Sequence, residues 1–199
     1  MKQQVLVIGG GTSFATYRSY INFLKTKEVA LDNLRVNYDW KDTLEQKLGI
    51  KYQVLQPRMP NKTNARYKEW KIWLERIIPL LNENIILVGH SLGGMFLAKY
   101  LSESLFPKNV KATILIAAPY DSHSKSLADF KPSSKLVNFA NQSKLIYFLH
   151  SKDDKVVSFE DLGKYKKMLP SARTMIFKER GHFNGEAFPE IVRLIKSLK

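Results

Sequence analysis

The 199-residue sequence contains no cysteine. Without cysteine the chain can form neither a disulfide framework nor a thiolate metal site. Long hydrophobic runs are missing as well, and no apolar stretch approaches the roughly 20 residues that a membrane-spanning helix requires. The first residues, MKQQVLVIGGG, hold an apolar stretch that ends at glycine too early for the core of a signal peptide. These absences favour a cytoplasmic protein with no membrane partner.

Acidic side chains are few relative to basic ones. The sequence has 18 aspartate and glutamate residues against 32 lysines and arginines, which gives a net charge of +14. The lysines mostly stand among acids, as in DDKVVSFEDLGKYKKM, whereas a nucleic-acid surface is expected to cluster basic residues with interleaved aromatics. We therefore expect a solvated basic surface and no nucleic-acid partner, while attraction to anionic partners stays open.

Six short runs of β-branched and aliphatic residues alternate with helix-like segments. Their nearly continuous apolar character is typical of parallel strands that helices cover on both faces. Repeated βα units in this order specify an open parallel sheet with right-handed crossovers. We predict a single α/β domain over residues 1–199, with about six strands and helices on both faces. The runs cover residues 4–9, 51–57, 84–89, 111–118, 144–150 and 172–178.

Helical periodicity is clearest in two segments, residues 70–81 and 188–198, where apolar residues recur at helical spacing. Pro79 falls inside the first stripe and is predicted to kink or end that helix. Residues 158–161, Ser-Phe-Glu-Asp, have the pattern of a capping box and predict the start of another helix.

The stretch ILVGHSLGG, residues 86–94, places Ser91 between a strand-like run and a helical segment. Its spacing fits the nucleophile elbow, a strand-to-helix turn that pushes a serine hydroxyl outward. Large side chains two positions either side would clash in so tight a turn, which accounts for Gly89 and Gly93. The N-terminus of the following helix also favours a developing negative charge. The alternative is a glycine-rich turn without chemistry.

A nucleophilic serine needs a base to take its proton. Of four histidines, His182 stands in ERGHFNG, after the last strand and before the last helix. Because parallel sheets place their chemistry at the carboxyl ends of strands, His182 is the preferred base. Asp153 and Asp154 follow another strand, and either could orient the imidazole. The chain order serine, aspartate, histidine is that of α/β-hydrolases, and it favours Ser91 as the nucleophile.

The sequence resembles the family of small α/β-hydrolases that includes retinoblastoma-binding protein 9 and its bacterial relatives. The resemblance runs through VLVIGGG, QPRMPNKTNARYKEW, LVGHSLGG, SKDDKVVSFED and RGHF, over nearly the whole chain. It implies a serine hydrolase whose sheet lacks the first two strands of larger α/β-hydrolases. Family members end the acid motif as Asp-x-x-aliphatic-Pro. Asp154 fits that register, with Ser158 in place of the proline, and is therefore preferred to Asp153.

The segment GGGTSF, residues 9–14, follows the first strand. A glycine turn there can aim a backbone N–H at an oxyanion, beside the N–H of Leu92. By register, Gly11 is the preferred donor and Thr12 the next choice. The dinucleotide-binding pattern G-x-G-x-x-G fails because position 14 is phenylalanine, and the phosphate-loop pattern fails for lack of Gly-Lys-Ser/Thr.

These features predict a serine esterase that cleaves small carboxylic esters through an acyl-enzyme on Ser91, with no metal or cofactor. The segment 12–50 is longer than in compact family members, and we expect it to be largely helical and to border the pocket through Phe14 and Tyr17. The chain is too short for a separate cap domain. We expect a shallow pocket walled by aromatic residues, namely Phe14, Phe96, Tyr120, Phe130 and Phe183. The competing hypothesis is a protein-interaction module on a hydrolase scaffold, against which the filled triad positions argue.

A first prediction concerns metals and nucleic acids. No two histidines stand at the spacing of three to five residues that is typical of a local metal pair, so ester hydrolysis should survive excess EDTA. Binding to nucleic acid should be weak and salt-sensitive, because the basic residues are interspersed with acids. Steady-state assays with EDTA and gel shifts at physiological salt check both parts. Inactivation that added metal reverses, or a tight complex at that salt, contradicts the prediction.

Overall fold

The computed structural model describes residues 1–35, 37–121, 125–132 and 136–198. Within these ranges the chain forms six strands: Gln3–Ile8 (β1), Tyr52–Leu55 (β2), Ile85–His90 (β3), Val110–Ile116 (β4), Ile146–Ser151 (β5) and Arg173–Phe177 (β6). All neighbouring pairs are parallel, in the order β2-β1-β3-β4-β5-β6. The predicted open parallel sheet is confirmed.

Helices connect the strands and cover the sheet. In the described part of the chain they are Tyr17–Thr26 (α1), Leu44–Leu48 (α2), Tyr67–Ile77 (α3), Leu92–Glu103 (α4), Val137–Gln142 (α5), Glu160–Met168 (α6) and Pro189–Ser197 (α7). None of these helices is long and apolar enough to cross a bilayer.

Two apolar layers hold the sheet between the helices. Successive residues of a strand point to opposite faces, so Leu87 of β3 joins a buried cluster with Trp70 of α3 and with residues of α4, α5 and α6. Its neighbour Val88 joins a second cluster with Leu44 of α2 and Ile191 of α7. Each buried side chain of this size contributes about 1.5–3 kcal/mol of transfer free energy. The continuous apolar runs in the sequence are therefore explained by burial on both faces.

The predicted end of the first periodic helix is confirmed. Helix α3 stops at Ile77, and Ile78–Leu80 continue as a 3-10 turn with Pro79 inside it. Proline lacks the N–H that another α-helical turn would use and its ring crowds the preceding turn. The apolar stripe continues across this change, because Ile78 and Leu81 are both buried.

The capping box predicted at residues 158–161 is not formed. Helix α6 is entered through Phe159 without a side-chain cap, although the Ser158 hydroxyl oxygen lies 3.3 Å from the N–H of Glu160. The side chain of Asp161 is used elsewhere: it accepts a hydrogen bond from the Tyr120 N–H at 3.1 Å and pairs with Lys164 at 2.9 Å. A distant backbone amide and a lysine on the same helix have taken the carboxylate that the local pattern assigned to the cap.

The segment 12–50 is helical only in part. It contains α1, a 3-10 turn at Leu31–Leu34 and the short α2. Helix α1 buries none of its side chains, and Tyr17 at its start is 67% exposed. The expectation of a largely helical insertion is therefore met only in these three pieces.

Trp40 anchors this segment to the body of the protein. Its side chain is 1% exposed, and its indole Nε1–H donates to the carbonyl oxygen of Phe183 at 3.0 Å. Trp40 also packs edge-on against Phe188, with ring centroids 5.5 Å apart. The residues beside Trp40 are consequently fixed close to the loop that carries His182.

Candidate active site

Ser91 lies at the sharp turn between β3 and α4. Its backbone has φ 54° and ψ −126°, a region that residues with a side chain rarely adopt and that persists only when the surroundings hold it. The Ser91 N–H donates to the carbonyl oxygen of Ile116 at 2.9 Å, and its own carbonyl accepts from Gly94 at 2.9 Å. The turn is thus held from both sides, with the geometry of a nucleophile elbow.

The glycines around Ser91 are required by close backbone contacts. A Cβ at position 89 would lie 2.5 Å from the Cα of Gly94, and a Cβ at position 93 would lie 2.2 Å from the carbonyl oxygen of Ile8. Both contacts are with backbone, which cannot swing aside. The sequence spacing of the two glycines therefore reflects the packing of α4 against β1 and β3.

Asp154 and His182 form a direct pair. The Nδ1 atom of His182 lies 2.8 Å from Oδ2 of Asp154, and the Asp154 side chain has no exposed surface. Its other oxygen accepts the N–H groups of Val156 at 2.8 Å and Val157 at 3.0 Å. Burial raises the pKa of Asp154, but the hydrogen bonds from His182 and from these amides outweigh it and keep the pKa below its ordinary value. Asp154 is therefore an ionised acceptor for His182.

Asp153 contacts the same loop at a different point. Its Oδ1 atom accepts the N–H of Gly181 at 2.9 Å and the hydroxyl of Ser151. The Ser151 oxygen in turn accepts the N–H of Arg180 at 2.9 Å. Asp153 thus holds the backbone just before His182, whereas Asp154 holds the imidazole ring.

His90 supports the loop from a third direction. Its Nε2 atom lies 2.8 Å from the carbonyl oxygen of His182, and a carbonyl can only accept, so Nε2 carries the proton. Burial, with the nearby charge of Lys41, lowers the pKa of His90 to about 3. A neutral ring with its hydrogen on Nε2 follows. His150 is likewise buried and occupied, with Nε2 3.1 Å from the carbonyl oxygen of Val157.

The glycine loop after β1 lies against Ser91. A Cβ at Gly10 would be 3.2 Å from the Cβ of Ser91. Thr12, the second choice as oxyanion donor, is excluded because its N–H donates to the carbonyl oxygen of Lys62 at 2.7 Å. Within the described residues, the N–H groups of Gly11 and Leu92 have no protein acceptor.

Ser91 and His182 both line one open cavity of about 1270 Å³. Its floor includes His90 and the glycine loop, and most of its wall comes from residues 37–42 and 56–62. The wall is polar and charged, and Met59 is one of its few apolar side chains. The carboxyl ends of neighbouring β1 and β2 bring these segments beside Ser91, as expected for a parallel sheet.

The five aromatic residues expected to wall the pocket lie elsewhere, and that expectation is corrected. Phe96 and Phe130 are fully buried, with ring centroids 5.5 and 5.3 Å from that of Trp70. Phe183 is 3% exposed and packs on Phe177 in the opposite layer. Burying these aromatic side chains in the core removes more apolar surface from water than placing them at a polar cavity would, so the buried position has the lower free energy.

The remaining two aromatic candidates are half-buried outside the cavity. Phe14 packs on Tyr20 and Phe23 of α1, with centroid distances of 5.4 and 5.0 Å. Tyr120 packs edge-on against Tyr165 at 4.9 Å. The sequence analysis did not predict the polar wall, although the sequence contains a signal for it. QPRMPNK directly follows β2, so its charged residues stand at the carboxyl edge of the sheet.

The sheet order and the elbow give the chain an α/β-hydrolase fold, without a separate cap domain in the part of the chain that the structure describes. Residues 34–196 match the family described as Serine hydrolase, which is well over half of the chain. The chain belongs to the serine hydrolase family.

Known proteins of similar sequence or fold include the following three. Serine hydrolase RBBP9 of Rattus norvegicus is 29% identical over 167 residues, covering 81% of this chain and 85% of the rat protein. The crystal structure of the ydeN gene product from B. subtilis superposes with a TM-score of 0.79 at 21% identity, over 99% of this chain and 98% of that one. A thioesterase domain from the curacin biosynthetic pathway gives a TM-score of 0.63 at 14% identity, over 98% and 91% of the two chains.

The close contact at Gly93 leads to a stability prediction. Gly93→Ala should lower the free energy of unfolding by about 2–3 kcal/mol or more, because the added methyl meets the backbone of Ile8. Gly163→Ala is the matched control: its Cβ would meet nothing within 4 Å inside α6, so it should stabilise by about 0.5–1 kcal/mol. Urea unfolding measures both. Equal stability of the two variants would contradict the packing argument.

Proposed function

We propose that the protein hydrolyses carboxylic esters through an acyl-enzyme on Ser91. The observation that carries the proposal is the meeting, in one cavity, of a serine on a strained elbow with a histidine whose far nitrogen is held by a buried carboxylate. A serine in such a turn stores backbone strain that a purely structural turn could avoid. Membership of the serine hydrolase family supports the same chemistry.

In this mechanism Asp154 sets the tautomer of His182. Nδ1–H donates to the carboxylate, so Nε2 keeps its lone pair and takes the proton of the Ser91 hydroxyl. The Ser91 oxygen attacks the acyl carbon, and the carbonyl oxygen becomes an oxyanion. His182 then returns the proton to the departing alcohol. In the second half of the reaction His182 takes a proton from water, the resulting hydroxide attacks the acyl-enzyme, and the proton returns to the Ser91 oxygen as the carboxylic acid leaves.

The oxyanion would be held by backbone N–H groups of Leu92 and Gly11. Both groups lack protein acceptors among the described residues, and Leu92 opens α4, where the helix dipole favours negative charge. Backbone N–H groups held in place around a developing oxyanion stabilise the transition state without reorganisation.

Removal of the nucleophile is the direct test. Ser91→Ala should lower kcat/KM for short 4-nitrophenyl esters on the order of 10⁴-fold, because no other hydroxyl occupies the elbow. A fluorophosphonate probe should label the parent protein and not the variant. Ser171→Ala, at an exposed serine outside the cavity, is the control and should retain parental activity. Residual activity of Ser91→Ala within about tenfold of the parent would refute the mechanism.

The paired acids give a second test. Asp154→Asn should reduce kcat about 10⁴-fold, because the asparagine side chain, unlike the carboxylate, does not hold His182 in the tautomer with its proton on Nδ1. Asp153→Asn should cost less than about tenfold, since its amide oxygen can still accept the Gly181 N–H. Circular dichroism of both variants shows whether the fold is kept. Equal or reversed losses would transfer the orienting role to Asp153.

A further inference from the structure

The charged residues that line the cavity are unevenly balanced. Two of them are carboxylates, Asp39 and Asp42, and four are cations: Lys27, Lys41, Arg58 and Lys62. Four cations to two carboxylates is close to the balance of the whole sequence, 32 to 18, so what distinguishes the cavity is how these charges are paired and that they face one concave space. A concave wall of one sign concentrates its potential in the cavity.

Both carboxylates are already used within the protein. Asp39 pairs with Lys41 and also accepts the Lys41 N–H at 2.8 Å. Asp42 accepts the N–H of Asp39 at 2.7 Å. Neither acid is bonded to Arg58 or Lys62, which have no carboxylate partner among the described residues. Three of the four cations in the lining, Lys27, Arg58 and Lys62, therefore have no carboxylate partner among the described residues, and Arg58 and Lys62 stand together on one loop.

Two cations outside the cavity show the contrast, because each has a carboxylate partner. Lys164 contacts both Asp121 and Asp161. Nη2 of Arg180 donates to both carboxylate oxygens of Glu190, at 2.7 and 2.6 Å. The arginine beside the loop that carries His182 thus has a carboxylate partner, whereas Arg58 and Lys62 on the opposite wall have none.

Arg58 and Lys62 stand on a loop whose backbone is fixed. The carbonyl of Lys62 accepts the Thr12 N–H at 2.7 Å, and the N–H of Ala65 donates back to Thr12 at 2.8 Å. Met59, between the two cations, is 8% exposed, and the indole of Trp70 donates to the carbonyl of Pro60 at 2.8 Å. The two side chains are themselves exposed. Their charges are therefore positioned beside the glycine loop and remain free to meet a ligand.

We infer that the ester substrate carries an anionic group, a carboxylate or a phosphate, and that Arg58 and Lys62 recognise it. This inference rests on the proposed ester hydrolysis and names its substrate class. Arginine suits both anions because its planar fork donates two parallel hydrogen bonds, while lysine adds a point charge. The aromatic pocket expected from the sequence would have favoured an apolar acyl chain. The polar wall that the structure shows does not favour one.

The test compares esters matched in length and different in charge. On the acyl side, mono-4-nitrophenyl adipate is compared with 4-nitrophenyl hexanoate. On the alcohol side, 4-acetoxybenzoate and 4-acetoxyphenyl phosphate are compared with methyl 4-acetoxybenzoate. The parent should favour an anionic member of at least one set about tenfold in kcat/KM, and raising the ionic strength should shrink that preference. The better of the two alcohol-side anions distinguishes carboxylate from phosphate.

Variants then assign the preference to residues. Arg58→Gln and Lys62→Gln should each reduce the ratio of anionic to neutral kcat/KM about fivefold, and Arg58→Glu should bring the ratio below one. Arg76→Gln and Lys144→Gln are matched controls, at exposed positions near the amino edge of the sheet, and should leave the ratio unchanged. Thermal unfolding checks that every variant is folded.

The outcomes separate two failures. If charged and neutral esters are cleaved equally well, the anionic preference is overturned. If the parent prefers anions but Arg58→Glu leaves the ratio unaltered, recognition by Arg58 is overturned. In both cases the ester chemistry stands. If no ester is cleaved and Ser91 takes no fluorophosphonate, the proposed function is overturned and this inference with it.

Discussion

The approach of Gly93 to the carbonyl oxygen of Ile8 is the contact on which the rest of the site depends. A side chain at position 93 would come within 2.2 Å of that oxygen, so only glycine lets α4 begin so close to the end of β1. This approach brings the start of α4 next to the glycine loop and leaves Ser91 with a positive φ of 54°. The strain at Ser91 is held because the helix on one side and the sheet on the other are both rigidly packed.

His182 is held by a second set of contacts, each at a different atom. Asp154 binds the ring nitrogen, Asp153 binds the preceding amide through Gly181, and the buried neutral His90 donates to the carbonyl of His182. Positioning of this kind fixes the direction of the imidazole without placing any further charge in the cavity. The two adjacent aspartates have different roles: Asp154 orients the imidazole ring of His182, and Asp153 holds the backbone that precedes it.

The parts of the structure that could be predicted are those governed by local spacing. Continuous apolar runs predicted the parallel sheet, Pro79 predicted the end of α3, and the glycine spacing predicted the elbow at Ser91. The parts that could not be predicted depend on competition between distant partners. Asp161, predicted to belong to a cap, instead accepts the N–H of the distant Tyr120.

The cavity wall shows the same limit. Phe96 and Phe130 look like pocket residues along the chain, yet both are drawn into the core around Trp70, where they lose all contact with water. The residues that replace them, from Lys41 to Lys62, come from segments on either side of β2. Their arrival beside Ser91 follows from the strand order β2-β1-β3, which hydrophobic periodicity does not specify.

The polarity of this wall has a thermodynamic consequence. An apolar pocket releases water from hydrocarbon surface when it is filled, and the mark of that event is a large negative change in heat capacity. A cavity lined by lysine, arginine and amide groups hides little hydrocarbon surface when a ligand enters. Its affinity then comes from charge and hydrogen bonding, with a small heat-capacity change and a binding enthalpy that varies little with temperature. The charge of a ligand would therefore determine how selectively this cavity binds it, and that selectivity would change little with temperature.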